Sequence, residues 1–212
     1  MADTKISALT AATVMADADQ FAINESGTSK SITGTLVKDW VGSMLRNQST
    51  ATQSVGSAAT VTAYLTNSNI AVPSAKIRIG TRFEWNLAFT KTATGTQARS
   101  HLIKIGTAGS LADATVATFT TSSPTAVADQ GFQMIRATVR GPLSASCTLH
   151  GVSFAGHQLS TTGLFNNATD VRSVTSGTWD ATTANLIVGL AVVTGNFEVI
   201  TYEQVTAEAY NL

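Results

Sequence analysis

Charge is scarce in this chain. Only 12% of its 212 residues are Asp, Glu, Lys or Arg, about half the usual share in soluble domains. Thirteen basic and thirteen acidic residues cancel, leaving a formal net charge of zero. No basic stripe is available to neutralise a phosphate backbone, which argues against nucleic acid as a partner. Solubility rests on Thr, Ser and Asn instead. Weak like-charge repulsion suits a surface that packs against identical copies. Cysteine is nearly absent too: Cys147 stands alone, which excludes an internal disulfide framework. Between Leu143 and Leu149 it reads as a small buried hydrophobe rather than a nucleophile. Long apolar runs are missing. The longest, residues 186–193, is too short to cross a bilayer, so no membrane insertion is expected. Met1-Ala2-Asp3-Thr4-Lys5 lacks the basic start and apolar core of a signal peptide, so synthesis in a cytoplasm without export by the general secretory route is expected.

What the chain does have is strand pattern. In Phe83-Glu84-Trp85-Asn86-Leu87-Ala88-Phe89 large apolar residues alternate with smaller or polar ones, so Phe83, Trp85, Leu87 and Phe89 fall on one face of a strand. Further strands are expected at 60–65, 77–89 (with a split near Gly80), 99–106, 115–121, 132–140, 147–154, 171–178, 186–193 and 198–207, separated by clusters rich in Gly, Thr, Ser and Asp. Many strands without intervening helices indicate an all-β fold, a jelly-roll-like antiparallel β-sandwich over residues 59–212. Segment 132–140 alternates imperfectly: Phe132 and Met134 fall on one face, Ile135, Ala137 and Val139 on the other. A bulge, or a second buried face at a subunit contact, would account for it.

Residues 1–46 form a different module. Residues 20–24 and 30–33 read as a hairpin around Gly27. Thr35 can cap a helix over 36–45 with Leu36, Val37, Trp40, Val41 and Met44 on its apolar side. So small a unit cannot build a sufficient core. Ile6, Leu9, Phe21, Ile23, Ile32, Leu36 and Trp40 are therefore the expected interface with another protein or another copy. Residues 47–58 are small, polar and nearly uncharged, which reads as a flexible linker.

Catalytic chemistry is hard to find. Glycan hydrolysis needs two facing carboxylates roughly 5–10 Å apart, yet Glu84 reads as alone on its outward face and the other acids are scattered. His101, His150 and His157 lack the close spacing of a zinc site, and His101 alternates with Ile103 and Ile105 as a core or interface residue. Cys147 and His150, three apart on a strand, point to opposite faces and cannot share a proton. No phosphate loop and no nucleophile elbow is present. No catalytic, metal or cofactor residue is assigned, and the chain reads as a non-enzyme. The candidate recognition residues are Phe165, Asn166, Asn167, Trp179 and Asp180, where aromatics adjoin groups able to bond sugar hydroxyls. The bland alternative is that Phe165 and Trp179 close the sandwich ends.

One set of motifs carries a resemblance. Lys5-Ile6-Ser7-Ala8-Leu9-Thr10, the Ala16-Asp17-Ala18-Asp19 step before Gln20-Phe21-Ala22-Ile23, and Thr28-Ser29-Lys30-Ser31-Ile32-Thr33 resemble the opening module of tailed-bacteriophage fibre and virion proteins. Arg82-Phe83-Glu84-Trp85, Thr90-Lys91-Thr92-Ala93 and the stretch 178–190 are similar to sandwich domains of phage structural and tail proteins. The resemblance implies a virion component, either a tail fibre or appendage or a head-attached fibre or capsid decoration. It would be a homotrimer made in the host bacterial cytoplasm, anchored by its N-terminal module to tail, portal-adaptor or capsid proteins. Presentation of the sandwich to a host-surface glycan is the alternative role it implies, and depolymerase activity a more remote one.

Overall fold

The computed structural model describes residues 20–25, 28–33, 44–56, 59–73, 76–92, 94–159 and 161–212. The chain divides into two compact units, residues 1–43 and 44–212. In the first, β1 (Gln20–Glu25) and β2 (Thr28–Thr33) form the expected antiparallel hairpin, with Phe21 opposite Ile32 and Ile23 opposite Lys30. Ile6, Leu9, Leu36 and Trp40 lie outside the described residues, as does the expected helix through residue 43.

The second unit is all-β among its described residues. It contains β3 (Leu45–Gln48), β4 (Gln53–Gly56), β5 (Thr62–Tyr64), β6 (Ile70–Val72), β7 (Arg82–Lys91), β8 (Ser100–Gly106), β9 (Ala114–Thr120), β10 (Asp129–Gly141), β11 (Thr148–His157), β12 (Thr169–Thr175), β13 (Leu186–Val193) and β14 (Val199–Tyr210). A seven-stranded sheet runs β12-β11-β10-β7-β14, with both β3 and β4 on the outer side of β14; a five-stranded sheet runs β9-β8-β13, with β5 and β6 on the far side of β13. All pairings are antiparallel.

Alternation explains the core. Phe83, Trp85, Leu87 and Phe89 of β7 are buried, as are Ile135, Ala137 and Val139 of β10 and Leu186, Val188, Leu190 and Val192 of β13. The two inner faces form one apolar cluster. The Trp85 indole N–H crosses between the sheets to the Ser68 carbonyl at 2.7 Å, so the largest core side chain leaves no buried donor unsatisfied. On β14 the register shifts between Tyr202 and Gln204. That bulge returns Val205, Ala207 and Ala209 to the buried side on which Ile200 and Tyr202 lie.

The linker and the β10 irregularity differ from what was read off the sequence. The polar segment expected as a linker over 47–58 instead contributes β3, which continues from Leu45, and β4, both paired to β14. Its small side chains suit an edge position, where backbone pairing rather than burial does the holding; Val55 alone in this stretch joins the core. Leu45, expected at the end of a helix, belongs to that strand. The second difference is in β10, which runs without a register shift from Gly131 to Val139. Phe132 and Met134 are simply on the outer face, where Phe132 is 48% exposed.

Candidate functional site

The strand registers bring the loops over residues 92–99, 121–128, 158–168 and 194–198 to one end of the sandwich: Lys91 pairs with both Asp129 and Ile200, Gly131 with His157, and Ser100 with Val193 and Thr120. At this end the charged residues point inward. Lys91, Arg99 and Glu198 are each 0% exposed, and the Asp129 and His157 side chains are fully buried as well. Each ties a loop down. The Lys91 ammonium donates to the carbonyls of Thr125 (2.6 Å) and Val127 (3.2 Å), and burial lowers its pKa below the usual lysine value.

Arg99 is the centre of this arrangement. Its Nη1 reaches Glu198 Oε1 at 3.3 Å, and its guanidinium lies 4.6 Å from the Phe89 ring centroid and 5.0 Å from that of Phe165. Nε and Nη2 have no hydrogen-bond partner among the described residues; the two ring faces are what they meet, and cation–π attraction offsets part of the desolvation. Three loops thus share one buried knot, Arg99 from 92–99, Phe165 from 158–168 and Glu198 from 194–198. Beside it the His101 Nε2 and the Tyr202 hydroxyl share a hydrogen bond of 2.8 Å. Burial, reinforced by the Arg99 charge, pushes the His101 pKa down to about 3, so the ring is neutral.

Asp129 and His157 form a second latch. His157 Nδ1 lies 2.5 Å from Asp129 Oδ2, and its Nε2 lies 2.8 Å from the Asn167 carbonyl. Asp129 also accepts backbone N–H bonds from Gln130 (2.8 Å), Leu164 (3.0 Å) and Leu159 (3.3 Å). Burial alone would raise its pKa; the Leu164, His157 and Gln130 hydrogen bonds outweigh that and hold it below the ordinary carboxylate value. The aspartate–histidine geometry resembles part of a catalytic triad, but Nε2, the atom that would activate a nucleophile, is taken up by the Asn167 carbonyl. The pair fastens the 158–168 loop.

The outward surface of these loops carries no charge. Residues 92–98, 121–128, 158–168 and 194–197 contain no Asp, Glu, Lys, Arg or His. Their exposed side chains are hydroxyls, amides and small aliphatic groups, Val127 among them at 44%, with one large aromatic, Phe197, at 60% exposure.

A second surface is the outer face of the seven-stranded sheet. Phe154 stands between Met134 and Val171 in the cross-strand register, and Val152 between Arg136 and Ser173. Phe132, Val152, Phe154 and Val171 are 38–63% exposed, and the Phe132 and Phe154 rings are 5.8 Å apart. Toward β14 and β3 the same face becomes ionic: Arg46, Glu208, Glu84 and Arg136 succeed one another across four strands. Arg46 meets Glu208 at 3.4 Å and Arg136 meets Glu84 at 3.0 Å. Glu84 is therefore not alone. It faces Glu208 directly, a pairing no sequence spacing reveals because the two are brought together by β7–β14 register. Each carboxylate is claimed by an arginine on an open sheet, and the Tyr210 hydroxyl donates to Glu208.

The sequence-based recognition residues do not come together. Phe165, Asn166 and Asn167 sit at the knotted end, whereas Trp179 bridges Cys147 before the start of β11, at the opposite end of a strand of 10 residues. Phe165 is 0% and Trp179 6% exposed, so neither ring presents a face to a sugar; they close the two ends of the sandwich. Asn166 and Asn167 are exposed, and Asp180 is exposed and accepts hydrogen bonds from the Thr182 backbone and hydroxyl. Cys147 is buried, which pushes its thiol pKa up. His150 lies on the outer face, 3.2 Å from the Ser173 hydroxyl. Among the described residues no three His, Cys, Asp or Glu side chains are grouped to hold a metal ion, and no helix is long and apolar enough to cross a membrane. No protein-family model matches the chain, and no curated protein is significantly similar to it.

Proposed function

We propose that this chain is a non-enzymatic structural component of a tailed-bacteriophage particle, a fibre, appendage or head-attached decoration subunit that works as a homotrimer. The observation that carries the self-association is the apolar band of Phe132, Phe154, Val152 and Val171 on a sheet face otherwise ready for solvent. Contiguous exposed patches of this kind mark contact surfaces. A second copy is the occupant favoured by the charges, because the adjoining row holds both signs and the chain has no net charge to keep copies apart. Attachment to the particle is assigned to residues 1–43, the smaller of the two units, with Phe21, Ile23 and Ile32 on its hairpin.

The experiment is deletion. A chain beginning at Met44 keeps β3 and β4 on β14 and should fold as a sandwich. Phage carrying only that form should yield particles from which the protein is missing, as judged by mass spectrometry of purified virions. Normal incorporation of the truncated chain would refute the anchoring role.

A further inference from the structure

Phe197 is held against two preferences at once. Its φ is +57°, a left-handed conformation that bulky residues rarely adopt, and the residue is 60% exposed. Neither serves the fold, since glycine would take the same backbone without strain and without an apolar ring in water. The conformation persists because its surroundings leave no alternative. The Gly195 N–H donates to Glu198 Oε2 at 3.2 Å, and the Gly95 N–H donates to the Phe197 carbonyl at 2.9 Å. A Cβ on Gly95 would come within 2.5 Å of the Glu198 nitrogen, and one on Gly195 within 2.4 Å of Gln97 Cβ. The two loops are thus in close backbone contact, with Glu198 fixed below them by Arg99.

The groups around the ring identify the ligand chemistry. A shallow cavity of about 240 Å³ is lined by Thr94, Gly95, Thr96, Gln97, Asn196 and Phe197, smaller than the roughly 300–1,000 Å³ of a drug-sized cleft. The side-chain carbonyls of both amides are already used: Gln97 Oε1 accepts from the Asn196 N–H at 3.0 Å, and Asn196 Oδ1 from the Thr60 hydroxyl at 2.9 Å. This fixes the orientation of the amides and leaves their NH₂ groups as donors, beside the hydroxyls of Thr94 and Thr96. We infer that this loop end is a binding site for a neutral saccharide, with the Phe197 ring stacked on one sugar ring and Gln97, Asn196, Thr94 and Thr96 bonding its hydroxyls. Rigid loops lower the entropic cost of such binding, and the buried charges at their roots supply the rigidity. A nucleic acid or acidic glycan would find no counter-charge here. Phe132, by contrast, continues into an apolar band suited to protein. The saccharide site requires neither particle nor oligomer, and so stands apart from the anchoring role.

The test is saturation-transfer NMR and calorimetry on the full-length chain with neutral oligosaccharides of glucose, galactose, mannose and rhamnose, and with sulfated and sialylated oligosaccharides as charged comparators. At least one neutral sugar should bind. Phe197→Gly should weaken it at least about tenfold while leaving the melting temperature equal or higher, because the strain is relieved. Phe132→Ser should leave binding unchanged. The inference is overturned by silence across the neutral set, by tighter binding of a charged sugar, by undiminished binding to Phe197→Gly, by a fall in that variant's melting temperature, or by loss of binding in Phe132→Ser.

Discussion

Replacing Glu198 with leucine should cost about 3–5 kcal/mol of folding stability, because it strands the Arg99 guanidinium in the core without its counter-charge. Arg99 and Glu198 are both 0% exposed, so neither can turn to water when its partner is lost. For a domain of this size each kcal/mol corresponds to roughly 2–4 °C, and the melting temperature should fall by roughly 6–20 °C. The same variant loses the acceptor for the Gly195 N–H, so amide exchange in residues 194–198 should accelerate beyond the global effect. The double variant Arg99→Met/Glu198→Leu separates pairing from packing. Two apolar side chains replacing a buried ion pair are often neutral or stabilising, so the double variant should recover most of the lost stability. A double variant no more stable than Glu198→Leu alone would mean that the charge itself is not what the core depends on.

The second large effect is acid lability centred on His101. The imidazole is neutral in the fold, with its pKa pushed down to about 3, against about 6.5 in an unfolded chain. The unfolded state therefore binds an extra proton between those values, and stability is fully present above pH 6.5 and lost as pH falls toward 3. The slope approaches about 1.4 kcal/mol per pH unit, so about 2 kcal/mol should disappear between pH 6.5 and 4.5. The groups facing the ring do not relieve this: Tyr202 hydrogen-bonds to it with its own pKa raised by burial, and Arg99 repels a second positive charge. Asp129 adds a loss in the same direction at lower pH. Its carboxylate is held below the ordinary value, so its contribution is present above about pH 4 and lost as pH falls further. Urea unfolding at half-unit pH steps measures the slope. His101→Gln can still hydrogen-bond Tyr202 but cannot titrate, and should lower the slope between pH 6.5 and 4.5 by about one proton. An unchanged slope in that variant would assign the acid lability to other groups.

How much of this was legible in the sequence depends on whether the physics was local. β13 falls on the expected residues, and β7 shares its alternating core, because burial on one face is written as a period of two. The Phe132/Met134 irregularity was visible too, and of the two explanations it allowed, a bulge or a second buried face at a subunit contact, the unbroken register from Gly131 to Val139 removes the bulge. β3, β4 and β6 were not legible. They are three or four residues long and are held by pairing to β14 or β13 rather than by an apolar pattern of their own. The β14 bulge hides its continuation past Ala207 in the same way.

The site was less legible than the fold. Aromatics beside Asn and Asp were reasonable candidates, but exposure cannot be read from type: Phe165 is buried against Arg99 and His157, while Phe197, in a turn cluster at Thr194-Gly195-Asn196, is the loop ring left in water at this end. Its identity rests on a backbone angle and on contacts made by Arg99, 98 positions earlier. A usable signal did exist. Four loop segments without a single charge, each bounded by an isolated Lys, Arg, Asp, His or Glu, are what inward-turned charges beneath a neutral surface look like in sequence.

Sedimentation equilibrium of the full-length chain at micromolar concentration, beside the Phe132→Ser/Phe154→Ser variant, tests the assembly role most directly. The wild-type chain should sediment at three times its own mass, and the variant, whose substitutions replace exposed rings and spare the core, should remain folded and shift toward monomer. A wild-type chain that stays monomeric at every concentration would contradict the account.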